Sequence, residues 1–368
     1  MKKFHLVKNN LYIHIPFCSH ICSYCDFCKS IYDEKMASKY INELLKEIDS
    51  YKLENLETIY VGGGTPSSLS LELLELLLKK IQPLLKSEYE FTFECNFENT
   101  SLEKLILLKK YGVNRLSFGV QSLDNDILKS LNRYHTRENV IDIISKAKEI
   151  GFNNINIDLI YGLPNVDSNK LQNDLEEFIK LDIQHISTYS LTISPNTLFY
   201  IKNIKEVADE ISRKLYDLIF NFLEEHGYKR YEVSNFAKEG FESKHNQVYW
   251  NNENYVGVGL GASGYLKDIR YQNTRSINKY LSGEYIFEKE KVSYKDNINY
   301  FLMLKLRKVE GFKIQEIQDI CNKEDFEHIM NSINLFVNRG LIKIKDYQVS
   351  CTNEGMMLLD IILRDIFI

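Results

Sequence analysis

Four of the seven cysteines, Cys18, Cys22, Cys25 and Cys28, fall within eleven positions near the start of the 368-residue chain, in the stretch IHIPFCSHICSYCDFCKS. The first three form C-x3-C-x2-C on a loop that follows a β-type run. Three thiolates can hold three irons of a cubane [4Fe–4S] cluster whose usual complement is four, which leaves one iron open. An open position is what a metal site needs if a cofactor or substrate must bind the metal directly. The competing reading is a structural zinc site with Cys28 or His20 as fourth ligand. Such sites commonly draw on two separated ligand pairs, and no second pair follows downstream. An odd cysteine count with four clustered argues for metal or redox chemistry in a reducing compartment rather than for a disulfide framework. Cys95, Cys321 and Cys351 read as buried small side chains.

The elements that position this loop are legible as six short β-type runs: LYIHI, TIYVGG, EFTFEC, RLSFG, INIDLI and HISTYSL, the first beginning at Leu11 and the last at His185. Helical patterns with leucine and isoleucine at three- and four-residue spacing lie between them, as in ASKYINELLKEIDSYK, SLELLELLLKKIQPLLK and TRENVIDIISKAKEIG. Alternating strand and helix implies parallel pairing through crossovers. Six units fall short of the eight of a closed α/β barrel, so the expected fold is a partial (β/α)6 barrel, with a doubly wound sheet as the alternative. Function then gathers at the carboxyl ends of the strands. Cys18 follows the first run, Gly62 to Thr65 the second, and Glu94, Gln121 and Asp158 end or follow the next three. The expected organisation is a barrel domain over 1–200, an α+β extension over 201–288 and a small helical, winged-helix-like tail over 289–368.

Apolar residues make up 44% of the chain, and 46 Lys plus Arg face 51 Asp plus Glu for a net charge of −5. A sizeable core is expected, and no basic stripe invites nucleic acid. The tail carries mixed charges, which favours packing over DNA binding. No transmembrane segment is expected, and MKKFHLVKNNLYIHI lacks a signal-peptide core, so the expected location is cytoplasmic.

C-x3-C-x2-C with Tyr24 before its last cysteine resembles the radical S-adenosylmethionine (SAM) superfamily, and GGGTP at 62–66 resembles that superfamily's SAM-binding glycine motif. The resemblance implies a [4Fe–4S] cluster on Cys18, Cys22 and Cys25, with SAM chelating the open iron and cleaved by a cluster electron to a 5′-deoxyadenosyl radical. Glycines after a strand admit close backbone approach and positive φ; a bare turn would explain one of them but not three followed by Thr-Pro. LYIHIPFC, RLSFGVQSLD, LNRYHT, NIDLIYGLP, YEVSNFA and HNQVYW extend the resemblance to oxygen-independent coproporphyrinogen III oxidases and the related HemW-type haem chaperones. It implies SAM contacts at Tyr12, Tyr24, Gly63, Gly64, Thr65, Glu94, Gln121, Arg133 and Asp158; as plain strand ends, Glu94 and Asp158 would be solvated carboxylates and Arg133 a surface charge.

Two features separate the branches. The oxidases resemble C-x3-C-x2-C-x-C, and here Phe27 stands where their fourth cysteine falls. They also usually carry a longer segment before the first strand. Both point to the chaperone branch and away from coproporphyrinogen decarboxylation, which remains the alternative beside other radical chemistry on a tetrapyrrole. Cys28 departs from both patterns, as a bystander or as an extra cluster ligand. HNQVYW, His245 to Trp250, resembles the chaperones' haem-binding motif and implies His245 as a haem ligand with Tyr249 and Trp250 against the macrocycle. Read without the family, His245 caps a turn and Trp250 anchors the core. Ser243 and Ser263 stand where relatives often have cysteine and histidine. The partners implied are haem or a related tetrapyrrole and a recipient haem protein.

Overall fold

The computed structural model describes residues 9–164 and 166–368. The reading of Met1–Lys8 as free of a signal core lies outside the described residues.

Six parallel strands form the centre of a nine-stranded sheet: β1 (Asn10–Ile15), β2 (Leu56–Gly63), β3 (Leu85–Cys95), β4 (Arg115–Gln121), β5 (Ile155–Tyr161) and β6 (His185–Ser190). They lie side by side in chain order. The main crossover helices between successive strands are α1 (Glu34–Ser50), α2 (Leu71–Ile81), α3 (Leu102–Lys110), α4 (Arg137–Glu149) and α5 (Ser168–Lys180), with a short helix over Asn125–Ser130 before α4. Each of α1 to α5 starts on a side-chain cap, respectively Asp33, Ser70, Ser101, Thr136 and Asp167, whose oxygen accepts an otherwise orphaned backbone N–H. Apolar residues of both strands and helices, such as Ile13, Ile59, Phe93, Leu116 and Ile157 with Leu44, Leu77 and Leu175, fill one continuous core.

Where six strands were expected, nine share the sheet. β8 (Asn235–Ala237) adds antiparallel beside β6, β7 (Lys229–Arg230) adds antiparallel beside β8, and β9 (Val256–Val258) adds parallel beside β1. The order runs β9-β1-β2-β3-β4-β5-β6-β8-β7 and its ends do not pair, so the barrel is open. Residues 201–288 thus supply the sheet's edges as well as α6 (Asp209–Glu225), α7 (Lys244–Trp250) and the first strands of a three-stranded sheet over Ser263–Leu266, Ile269–Asn273 and Ile286–Lys291. The glycines of GVGLGASGY are packing sites: a Cβ on Gly257 would stand 1.8 Å from the Ser263 carbonyl oxygen, and one on Gly264 2.2 Å from the Tyr271 ring.

From Tyr294 onward, five helices (Tyr294–Lys305, Ile314–Ile320, Lys323–Asn338, Asn353–Met357, Leu359–Ile366) and a three-stranded antiparallel sheet close on a separate core of Ile298, Leu302, Phe312, Ile333, Val349 and Ile362. Among the described residues no helix is long and apolar enough to cross a membrane.

Candidate cluster and cofactor site

The cysteine loop leaves β1 through Pro16 and is stitched to the barrel at several points. Ser30 N–H donates to the Pro16 carbonyl at 2.6 Å and Tyr32 N–H to the Cys18 carbonyl at 2.8 Å, closing the loop's base. Ser23 N–H donates to the Leu131 carbonyl at 3.0 Å, and the Asn132 side chain donates to the Ile21 carbonyl at 2.7 Å. Tyr24 packs on a satellite core of Ile127, Leu131, Ile160, Leu163, Leu191 and Phe199. These ties hold the thiols of Cys18, Cys22 and Cys25 at the rim of one cavity of about 410 Å³ at the carboxyl end of the sheet.

That cavity is also lined by Tyr24, Gly63, Gly64, Thr65, Glu94, Gln121, Arg133 and Asp158. The polar network among them is dense. Thr65 Oγ1 donates to Cys18 Sγ at 3.5 Å, and Arg133 Nη1 to Cys22 Sγ at 3.5 Å. Arg133 is buried, and its other guanidinium nitrogen donates to the Gly119 carbonyl and, at 3.3 Å, to Asn96 Oδ1. Burial pushes the Cys22 thiol up, but hydrogen bonding from His20 and the Arg133 charge outweigh it and hold the group below its usual range. Burial raises Cys18 to about 11 and raises Cys25 as well, so both thiols give up a proton when they ligate metal.

The glycine motif is shaped by its neighbours. Gly63 has φ +121°, a conformation side-chain-bearing residues rarely adopt, and a Cβ there would stand 2.8 Å from the His14 ring. A Cβ on Gly64 would stand 2.9 Å from both Cys18 Sγ and the Pro16 carbonyl carbon. Gln121, buried at φ +71°, holds a strained conformation of the kind found where a ligand is positioned.

Glu94 accepts from Tyr60 OH at 2.7 Å and from Gly63 N–H at 3.0 Å. Burial nevertheless raises its pKa to about 7. Because the folded value lies above the unfolded one, Glu94 favours folding at acidic pH, and that contribution is lost as pH rises from about 4.5 through 7. The Glu94→Gln variant has no such titration. Its stability relative to the native chain should increase between pH 5 and pH 8, by at most about 3 kcal/mol. Urea unfolding of cluster-free protein at the two pH values checks this; a constant difference would show that Glu94 titrates normally.

Over residues 12–178 the chain matches the radical SAM superfamily. It is 39% identical over 360 residues to the heme chaperone HemW of Lactococcus lactis, covering 95% of each chain. It is 37% identical over 367 residues to the heme chaperone HemW of Bacillus subtilis, covering 94% of this chain and 96% of that one. The chain belongs to the HemW family of radical SAM proteins. In fold it also matches the coproporphyrinogen III oxidase HemN of Escherichia coli, with a TM-score of 0.86 at 22% identity over 97% of this chain and 89% of that one.

Radical SAM proteins carry a [4Fe–4S] cluster and SAM, and the chemistry of this HemW-family cavity fits both. Three thiols share one rim, two of their sulfurs already accept hydrogen bonds from Thr65 and Arg133, and Gly64 keeps the space beside Cys18 clear.

One residue expected at SAM stands elsewhere. Tyr12 does not line the cluster cavity. It borders a second cavity of about 400 Å³ with His14, Phe27, Cys28, Tyr249 and Arg275, and its hydroxyl lies 3.0 Å from His14 Nδ1. Cys28 borders that second cavity and not the first.

His245, expected as a haem ligand, is 0% exposed inside the HemW-family fold. Ser243, not His245, caps α7, and Glu90 accepts from the His245 N–H at 2.9 Å. The imidazole is held at both nitrogens: Nδ1 lies 2.7 Å from Thr58 Oγ1, and Nε2 lies 2.8 Å from Tyr249 OH. Thr58 spends its one hydroxyl proton on Asn10 Oδ1, so Nδ1 donates and Nε2 accepts from Tyr249. Burial lowers the His245 pKa to about 3, consistent with this neutral tautomer. Both ring nitrogens are thus engaged by the protein in this conformation. His245→Ala should cost about 2–5 kcal/mol in urea unfolding, because it opens a cavity and strips a partner from Thr58 and Tyr249. A loss under about 1 kcal/mol would show these contacts to be weak.

Several cavity-lining groups were not singled out from the sequence: Asn96, which links Thr65 (3.0 Å) to Arg133; Tyr60, which holds Glu94; and Arg115, Ser117, Asn156 and Ser187 along the strands. Strand alternation carries the signal for most of these. Tyr60 stands two residues before Gly62, Asn156 two before Asp158, and Arg115 and Ser117 fall in step with Gln121.

Proposed function

We propose that this chain is a haem chaperone of radical SAM fold, which binds haem and passes it to an apo-protein in the cytoplasm. The observation that carries the reading is the near-full-length similarity to relatives named heme chaperone HemW, at 39% and 37% identity. Phe27 supports it, standing where the oxidases carry a further cysteine. The seven cysteines, all unpaired, suit a reducing compartment.

In this reading Cys18, Cys22 and Cys25 hold a [4Fe–4S] cluster with one open iron, and Gly63, Gly64, Thr65, Glu94, Gln121, Arg133 and Asp158 surround SAM. When bound, the pair supplies one-electron chemistry or a ligand-dependent switch of the site. The chain's own groups do the rest. Arg133 and Thr65 donate to the Cys22 and Cys18 sulfurs, Gly63 and Gly64 would let the backbone approach the cofactor, and the Glu94 and Asp158 carboxyl groups would hold its donors. Tyr12 is one ring away, its centroid 6.1 Å from that of Tyr60, which lines the cavity. Haem ligation by His245 requires its release from Thr58 and Tyr249, so haem uptake at that residue is coupled to loosening of α7.

The alternative is oxidative decarboxylation of coproporphyrinogen III, for which the likeness to HemN supports the fold only. Reconstituted protein incubated anaerobically with SAM, a strong reductant and coproporphyrinogen III is expected to yield no protoporphyrinogen by mass spectrometry. Protoporphyrinogen at catalytic yield, with 5′-deoxyadenosine, would make the chain an oxidase.

A further inference from the structure

Side chains two apart on a strand share a face. Arg115, Ser117, Gly119 and Gln121 of β4 accordingly all line the cluster cavity. Arg115 is the first residue of that strand, so its side chain reaches the cavity from the end opposite the cysteine loop.

There lies a guanidinium with no hydrogen-bond partner, which meets the Glu94 and Asp158 carboxylates through charge alone. Arg115 is 2% exposed, and its Nε is buried without a partner. Among the described residues no hydrogen bond, ion pair or ring contact reaches its side chain. The acceptors around it are engaged elsewhere. Glu94 is taken by Tyr60 and Gly63, and Asp158 Oδ1 by Asn156 Nδ2 at 2.8 Å. Asn156 Oδ1 accepts from Ser187 Oγ at 3.0 Å and lies 2.6 Å from His185 Nδ1. A guanidinium carries five N–H donors in a planar fork, and burying it unpaired is costly unless something arrives to pair it.

We propose that Arg115 is a carboxylate-binding residue at the inner end of the cluster cavity, taking a propionate arm of the tetrapyrrole. The assignment rests on the haem-binding reading above. The fork geometry matches carboxylate or phosphate in bidentate fashion. Glu94 and Asp158 already place two acidic groups in the same cavity, which favours a singly charged arm over a phosphate. The carboxylate of SAM is the competing occupant, and a SAM affinity in R115Q equal to that of the native chain excludes it.

The test compares haem with haem dimethyl ester, which has no free carboxylate, by Soret titration in one detergent buffer on reconstituted protein. The native chain is expected to prefer haem by about 10–100-fold, the value of one charge-assisted pair. In R115Q the two affinities should converge, while iron content and SAM affinity stay as in the native chain. Should R115Q fail to load its cluster, R115K decides, since it keeps the charge and loses the fork: a weakened preference supports the assignment. An equal preference in native and variant protein, or none in the native chain, overturns the subsite while leaving haem binding intact. Failure of the native chain to bind either compound overturns the haem reading and the subsite together.

Discussion

Cys22→Ala protein, reconstituted anaerobically, is expected to carry almost no cluster, where the native chain carries about four irons and four sulfides. Three thiols are the minimum that can grip three corners of the cubane, and the other thiol lining the cavity, Cys95, is held in the core at the end of β3. Cys28, the nearest spare thiol in sequence, borders the other cavity, with its Sγ 3.1 Å from where a Gly261 Cβ would stand. Cys22 is also the sulfur that Arg133 reaches, so the variant removes an anchor for a buried cation as well as a ligand. The matched control is Cys28→Ala, which should load its cluster like the native chain. Iron and sulfide assays with the broad visible absorbance read both variants. Full iron in Cys22→Ala would refute the ligand assignment, and loss of iron in Cys28→Ala would bring the fourth thiol into the site.

The second large effect is expected from Gly63→Val. The residue's φ of +121° is strained for any side chain, and the new Cβ would lie 2.8 Å from the His14 ring. That ring has little freedom to retreat, because Nδ1 lies 3.0 Å from Tyr12 OH and Nε2 lies 2.7 Å from the Cys28 carbonyl oxygen. Backbone strain and overpacking together should cost about 2–4 kcal/mol of stability. The Gly63 N–H also loses its alignment with Glu94, so SAM affinity should fall at least about tenfold, the equivalent of one lost charge-assisted hydrogen bond. Iron content should persist, since the thiol of Cys18 abuts Gly64 rather than Gly63. Urea unfolding, calorimetric SAM titration and iron analysis separate the three effects. Native-like SAM affinity in a folded variant would place the methionyl end away from this glycine.

The central barrel was readable because each of its six strands is a β-branched or aromatic run, bounded by turn residues and separated by helical periodicity. INIDLI became Ile155–Tyr161 and RLSFG became Arg115–Gln121. The three added strands were not, because runs of two or three residues such as Lys229–Arg230 and Val256–Val258 are too short to show alternation, and their pairing is decided by tertiary contacts. The cysteine loop and the glycine motif were legible for a chemical reason, since their residue types are scarce and their spacing is fixed by one cofactor. The burial of His245 was not legible because a motif reports residue types and not burial; Thr58, which holds its Nδ1, lies 187 residues away in sequence. Tyr12 and Cys28 sit beside the right elements but face the second cavity, a distinction set by the direction of each side chain. Arg115 was overlooked for the opposite reason: one arginine at a strand start is unremarkable until its burial and its lack of a partner are seen together.

The most direct test of the account is haem titration of the reconstituted protein under anaerobic conditions, followed by Soret absorbance and by gel filtration to remove free haem. The account predicts saturable binding at about one haem per chain that survives filtration, as expected for a site of micromolar affinity or tighter. Unsaturable uptake that is stripped by filtration, with the cluster intact, would contradict a haem chaperone and return the chain to the wider set of radical SAM proteins.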